Sequence, residues 1–282
     1  MILGNLSPDQ IKRMEYLIGR NEEQKAKQAE EERRNAGKVT PIIQPANPIT
    51  PTSNPQTPAI ITPSSKYWTL DNVQYKGQNC TVELARELLD GGNYHTQDDW
   101  ADISLKARTD NQLYTPDMPL FHGIAKSLYL TRTNPAVEEI RQFIKTNARV
   151  SWLMTLTRLQ YKPGEKDRVI HNYKQGNSLE YSMDENFVGK NDEIKDLNEP
   201  QVFQAILGDS NVQQISEIYS WINDTESYLW RVNSKPNTLD EKVAGFGAGS
   251  GRAGLDCYRS PAGASSSLGV RFARAKNSGG NP

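Results

Sequence analysis

The sequence runs to 282 residues, enough for one or two domains with a sizeable core, yet hydrophobic residues make up only 36% of it and the mean hydropathy is -0.71. Part of the chain is therefore expected to be solvated tail or linker. With 33 Lys and Arg against 34 Asp and Glu the net charge is -1, so no overall basic field invites nucleic acid, and no apolar run reaches membrane-spanning length.

The beginning, Met1 to Gly4, has neither the basic residues nor the apolar centre of an export signal, which points to a soluble chain and leaves its compartment open. Cys80 and Cys257 are the only cysteines; neither sits in a CxxC, and two free buried thiols are the commoner state of such a pair.

Residues 1–36 read as a charged N-terminal helix. Ser7 before Pro8 is a good N-cap, and Ile11, Met14, Leu17 and Ile18 make a short apolar stripe. Beyond Gly19 the stripe dissolves into charges spaced for i,i+4 pairs, so the helix is either solvated or a weak docking helix. Residues 37–66 carry prolines at 41, 45, 48, 51, 55, 58 and 63 among Thr, Ser, Asn and Gln. That spacing excludes helix and central strand and marks an extended linker.

The folded part is expected over residues 67–274. Val73 and Tyr75 suggest a strand, residues 81–89 a helix stopped by Gly91 and Gly92, and residues 115–119 a loop. Asn134 and Pro135 open a helix with Val137, Ile140, Phe143 and Ile144 on one face. A buried strand is expected at 150–159, another at 168–170, loops at 172–198, helices at 200–207 and 211–222, and a strand at 228–232. Residues 275–282 read as a flexible polar tail.

Several familiar sites fail on context. Gly249, Gly251 and Gly254 fit G-x-G-x-x-G, but the run from Leu255 to Pro261 reads as strand and turn, with no acid beyond Asp256 to hold a ribose. His95, Asp98 and Asp99 have the reach of one helical turn, yet the two acids serve equally as a cap; His122 and His171 stand alone, and no zinc spacing occurs. Ser265, Ser266 and Ser267 lack the setting of a nucleophile elbow, and no histidine lies beyond them. No enzyme, cofactor or metal is therefore expected.

Residues 246–261 carry the most information. Phe246, Ala248, Ser250 and Arg252 alternate with Gly247, Gly249, Gly251 and Ala253; after a slip at Ala253 and Gly254, Leu255, Cys257, Arg259 and Pro261 alternate with Asp256, Tyr258 and Ser260. Alternation puts the two sets on opposite sides of an extended chain, and a bulge or turn produces the slip. A Gly/Ser linker is the plain alternative, but Leu268, Val270 and Phe272 add core residues to a closing strand.

Tyr228, Leu229, Trp230 and Arg231, the alternating segment, and the run from Ser265 through Gly269, Val270 and Arg271 to Arg274 together resemble the variable proteins of diversity-generating retroelements. The likeness is closest to archaeal and archaeal-virus members and covers about residues 228–274. It extends more loosely to formylglycine-generating-enzyme-like domains, which share the ending Gly-hydrophobic-Arg.

The resemblance implies an α+β, C-type-lectin-like domain carried on the N-terminal helix and proline-rich linker, with a ligand face diversified by adenine-miscopying reverse transcription. Asn codons of the AAC type cannot then become Lys, Glu, Gln, Met or Trp. The candidate variable positions within about 245–264 are Gly247, Gly249, Gly251, Ala253, Gly254, Asp256, Tyr258 and Ser260, and all are reachable residues. The implied function is adaptable binding of a protein or cell-surface ligand.

Two departures stand out. Only Tyr258 and Asp256 among the candidates have the character of binding anchors. The catalytic cysteines of formylglycine-generating enzymes have no counterpart, since Cys257 falls on the scaffold phase. The rival readings are a viral tail or receptor-binding protein and a formylglycine-generating-enzyme-like oxidase.

Overall fold

The computed structural model describes residues 61–176, 179–182 (backbone only), 187–249 and 251–273. The expectations for residues 1–36 and 275–282, and for the linker up to residue 60, lie outside the described residues.

The linker assignment is corrected at its end. Strand β1 (Ile61–Pro63) pairs antiparallel with β2 (Tyr67–Tyr75), and Ile61 is buried beneath it. Ser64 closes the connection, its hydroxyl accepting from the Tyr67 N–H at 3.0 Å. Pro63 is tolerated because β1 is an edge strand and needs no second row of donors.

The helix expected over 81–89 is instead strand β3 (Gln78–Leu88). Lys76 and Gly77 have φ of 50° and 75°, the left-handed pair that a two-residue hairpin needs, so β3 folds back on β2. Val82 and Leu84 are fully buried and lie opposite Leu70 and Trp68 on one side and Phe272 and Val270 of β11 (Leu268–Phe272) on the other. Pairing on both edges overrides the helix-forming character of Glu83, Ala85, Arg86 and Glu87.

Helix α1 (Gln97–Thr109) starts from a capping box between Thr96 and Asp99. Helix α2 (Met118–Leu130) begins inside the stretch expected to be loop: the Asp117 carboxylate accepts the Leu120 N–H at 3.0 Å, and Pro119 occupies the first turn. Helix α3 (Pro135–Val150) comes next, capped by Asn134, with Val137, Ile140 and Ile144 buried.

Beyond it come β4 (Leu153–Tyr161), β5 (Arg168–His171), β6 (Leu179–Ser182), β7 (Asp192–Glu193), α4 (Pro200–Leu207), α5 (Val212–Asn223), β8 (Ser227–Trp230), β9 (Asp240–Ala248) and β10 (Ala253–Arg259).

The result is a mixed α+β fold with two sheets. One has the order β1-β2-β3-β11 and is antiparallel throughout; the other runs β6-β5-β4-β9-β10-β8-β7, with β10 and β8 the parallel pair. Helix α2 lies on β2, and α5 backs β8 and β10. Phe246 of β9 meets the rings of Phe121 on α2 and Tyr219 on α5, which seats the centre of the large sheet in the core.

Ser265, Ser266 and Ser267 join the two sheets. All three are buried. The Trp100 indole donates to the Ser265 carbonyl at 2.8 Å, the Met154 N–H to that of Ser266 at 2.9 Å, and the Leu89 N–H to that of Ser267 at 3.0 Å. Their small hydroxyls satisfy backbone carbonyls where sheet regularity lapses, the Ser267 hydroxyl donating to Met154 at 3.0 Å.

Candidate functional site

Hairpin β9–β10 carries the alternating segment. The Gly249 N–H donates to the Arg252 carbonyl at 2.8 Å and closes the turn, so Ala248 faces Ala253, Gly247 faces Gly254, Phe246 faces Leu255 and Gly245 faces Asp256. Phe246, Ala248, Ala253, Leu255 and Cys257 point into the core, as do Leu268 and Val270 of β11. On the opposite side Gly247, Gly249, Gly254, Asp256 and Tyr258 line one open depression of about 410 Å³.

Three of the eight candidate positions fall elsewhere. Ala253 is fully buried, and its assignment to the exposed set is corrected: the phase slips inside the turn, before Ala253, which therefore stays in step with Leu255. Gly251 is exposed in the turn, with open space around the position a Cβ would take. Ser260 is exposed beyond the end of β10, where its hydroxyl accepts the Ala262 N–H at 3.3 Å. Neither lines the depression.

Gly254 and Asp256 are also not exposed residues: Gly254 is buried under Trp230, and only 4% of the surface of Asp256 is accessible. Its Oδ2 accepts from Arg259 Nε at 3.0 Å and Nη2 at 2.9 Å. Burial raises its carboxyl above the ordinary aspartate value, and the Arg259 guanidinium draws it only part of the way back.

The walls come from residues that the sequence pattern does not assign to the site. Trp152, between α3 and β4, lies against Gly245: a Cβ there would come within 2.5 Å of the indole Cε3 and 2.6 Å of the Leu153 carbonyl. Trp152 is held from behind by the Ser265 hydroxyl, which donates to its carbonyl. Trp230 of β8 covers Gly254 and stacks on Tyr228, ring centroids 5.8 Å apart.

Three arginines complete the border. Arg252 lies 4.3 Å over the Tyr228 ring, Arg259 sits 5.6 Å from that of Trp152, and Arg149 donates to the Asn223 side-chain oxygen at 3.2 Å. Asn223 in turn donates to the Gly249 carbonyl at 3.1 Å, tying the turn to the end of α5. Val150 and Tyr258, 76% and 40% exposed, stand on the rim.

The available signal was Trp230 itself, already among the residues carrying the family resemblance. Trp152 and Arg149 lie about a hundred residues from the hairpin in sequence, and no local pattern connects them to it.

The residues considered for chemistry are engaged structurally. His95 contacts Asp90 at 2.7 Å, Asp98 pairs with Arg158 at 3.1 Å, and Asp99 belongs to the α1 cap. His122 is buried between Tyr219 and Asp209, and His171 between Thr157 and the Ala205 carbonyl. Gly249 and Gly251 lie between two strands and Gly254 inside the second, so these glycines deliver no phosphate to a helix N-terminus.

Cys80 and Cys257 are free, and burial pushes the thiol pKa of each up, away from nucleophilic use. Among the described residues no three His, Cys, Asp or Glu side chains gather as a metal site, and no helix is long and apolar enough to cross a membrane.

No protein-family model, curated protein or solved structure matches the chain. The geometry of the hairpin and its walls is what a functional reading has to rest on.

Proposed function

We propose that the chain is a recognition protein, a variable protein of a diversity-generating retroelement, whose ligand face is the depression on β9–β10 of a C-type-lectin-like scaffold. One observation carries this reading: the outward side of a single hairpin has room for a Cβ at Gly247, Gly249 and Gly251, while its inward side is closely packed. Gly247, Gly249 and Tyr258 open on the depression, while Phe246, Leu255 and Cys257 directly behind them are buried. Surface substitutions away from special features usually change stability by less than about 0.5 kcal/mol, whereas truncating core side chains costs about 1–5 kcal/mol, so diversity is sustainable only on the first face.

The scaffold is compatible with the proposal. The closing strand β11 pairs with β3 near the start of the described domain, and Arg271 of the Gly-Val-Arg ending forms an ion pair with Glu83. The depression supplies anchors beyond Tyr258: Trp152, Trp230 and Arg252 are side chains of the kind that dominate protein interfaces. The partner is accordingly a protein or cell-surface ligand, bound without chemistry.

The test is the DNA beside the gene. A reverse-transcriptase gene and a near-copy of the segment encoding residues 246–274 should lie nearby, with adenines in the copy wherever the two differ. Differences spread evenly over the four bases would sink the retroelement reading.

A further inference from the structure

The side chains around the depression are unevenly charged. Arg149, Arg252 and Arg259 face a single carboxylate, Asp256, and that carboxylate is buried and committed to Arg259. Arg149 donates only to neutral oxygens of Asn223, and Arg252 rests on the Tyr228 ring. Glu193, the acid nearest in influence to Arg252, is already held by Lys195 at 2.7 Å and by the Tyr228 hydroxyl at 2.7 Å. Two guanidinium groups thus flank the depression without a carboxylate partner among the described residues, although the chain as a whole is nearly neutral.

The same rim holds Val150 and Tyr258, two of the four large hydrophobic side chains exposed among the described residues. Apolar rim, aromatic walls and unpaired guanidinium groups coincide at one place. Guanidinium groups recognise carboxylates through paired N–H donors, and flat indole faces receive apolar or aromatic groups.

We propose that the occupant of this depression is an acidic segment of a partner protein, which sets Asp or Glu carboxylates against Arg149 and Arg252 and an aromatic or apolar side chain against Trp152, Trp230 and Val150. This rests on the recognition reading above and specifies its ligand. A single-stranded nucleic acid offers a related combination of negative charge and flat rings. It is disfavoured because the chain carries no extended basic track.

The experiment titrates the full chain with capped peptides in which Tyr alternates with Glu, with Gln or with Lys. Calorimetry gives affinity, and hydrogen exchange over residues 245–258 gives location. The Glu series should bind at least about tenfold more tightly than the Gln series, weaken as salt is added and protect the hairpin, while the Lys series should not bind.

Arg149→Gln with Arg252→Gln should reduce the Glu series to the affinity of the Gln series. Arg252→Glu alone, in the exposed turn where folding is not at stake, should weaken it in the same direction. Equal affinities for Glu and Gln peptides, indifference to both variants, no binding by any series, or preferential capture of oligothymidylate would each overturn the acidic-segment proposal. Hairpin protection by Gln peptides would still leave the recognition face standing. Glu-peptide protection confined to another surface would remove both readings.

Discussion

The indole of Trp230 lies on the bare backbone of Gly254, so closely that a Cβ there would stand 2.8 Å from both Cδ1 and Nε1. Glycines of the hairpin therefore range from those whose bare backbone a tryptophan needs to those with open space around them. Gly245 is the extreme of the first, since a Cβ would meet both the Trp152 indole and the Leu153 carbonyl, and a backbone carbonyl cannot swing aside. Gly251 is the extreme of the second. Melting curves should rank the alanine variants accordingly: Gly251→Ala unchanged within about 0.5 kcal/mol, Gly254→Ala intermediate as Trp230 is displaced, and Gly245→Ala lowered by about 1–3 kcal/mol. Equal losses at Gly251 and Gly245 would mean that the tryptophans do not depend on the bare backbone.

The two faces of β10 should differ as sharply. Leu255→Ala empties a fully packed site and should lower stability by about 2–5 kcal/mol. Gly251→Tyr or Ser260→Arg should leave the melting temperature nearly unchanged while altering partner choice, because both positions are exposed and neither glycine nor serine has left-handed backbone there. Thermal melts on the three variants decide it. Unfolding by the exposed substitutions as severe as that of Leu255→Ala would defeat the diversified-face model.

Period is what made part of the fold legible in the sequence. In residues 246–258 two sets of residues alternate, so the two-residue repeat read as extended chain with one slip and put Phe246, Leu255 and Cys257 in the core. The turn length was not legible, because glycine fits either phase, and Ala253 was carried to the wrong face. Strand β3 was hidden because its helix-forming Glu83 and Ala85 are fixed by partners in β2 and β11, and β11 lies far away in sequence. Helix α2 is buried on nearly every side and so shows no amphipathic stripe to read. The same distance effect concealed the site walls: Trp152 and Trp230 meet the hairpin only because β4 and β8 flank it in the sheet.

Asp209 should act as an acid-sensitive support beneath α2. Burial by itself would raise its carboxyl, but the contacts with His122 at 3.3 Å and Lys126 at 2.6 Å prevail and hold it well below the ordinary value. A depressed folded-state value contributes stability above the unfolded aspartate range, and the contribution is lost as pH falls through that range toward the folded value. Asp209→Asn should destabilise the protein by about 1.5–3 kcal/mol near neutral pH, with the gap from wild type closing on acidification. A gap constant with pH would show that packing, not the charge, is what the substitution disturbs.

Asp256 should behave in the opposite sense. Its folded-state carboxyl is raised by burial, only partly offset by Arg259, so protonation is easier in the folded chain than in the unfolded one. The stability linked to this group is fully present below the unfolded aspartate value of about 3.8 and is lost as pH rises through the higher folded value. Wild type as a whole still weakens in acid, because Asp209, Glu199 and Asp224 are all shifted downward and act the other way. The difference between Asp256→Asn and wild type isolates the one group: asparagine keeps an oxygen for Arg259 but never carries the buried charge. The melting temperature of Asp256→Asn minus that of wild type should therefore increase as pH is raised from below 4 toward neutrality. A difference that falls over the same range would mean that the Arg259 pair outweighs burial, and that the floor of the depression is held by charge pairing.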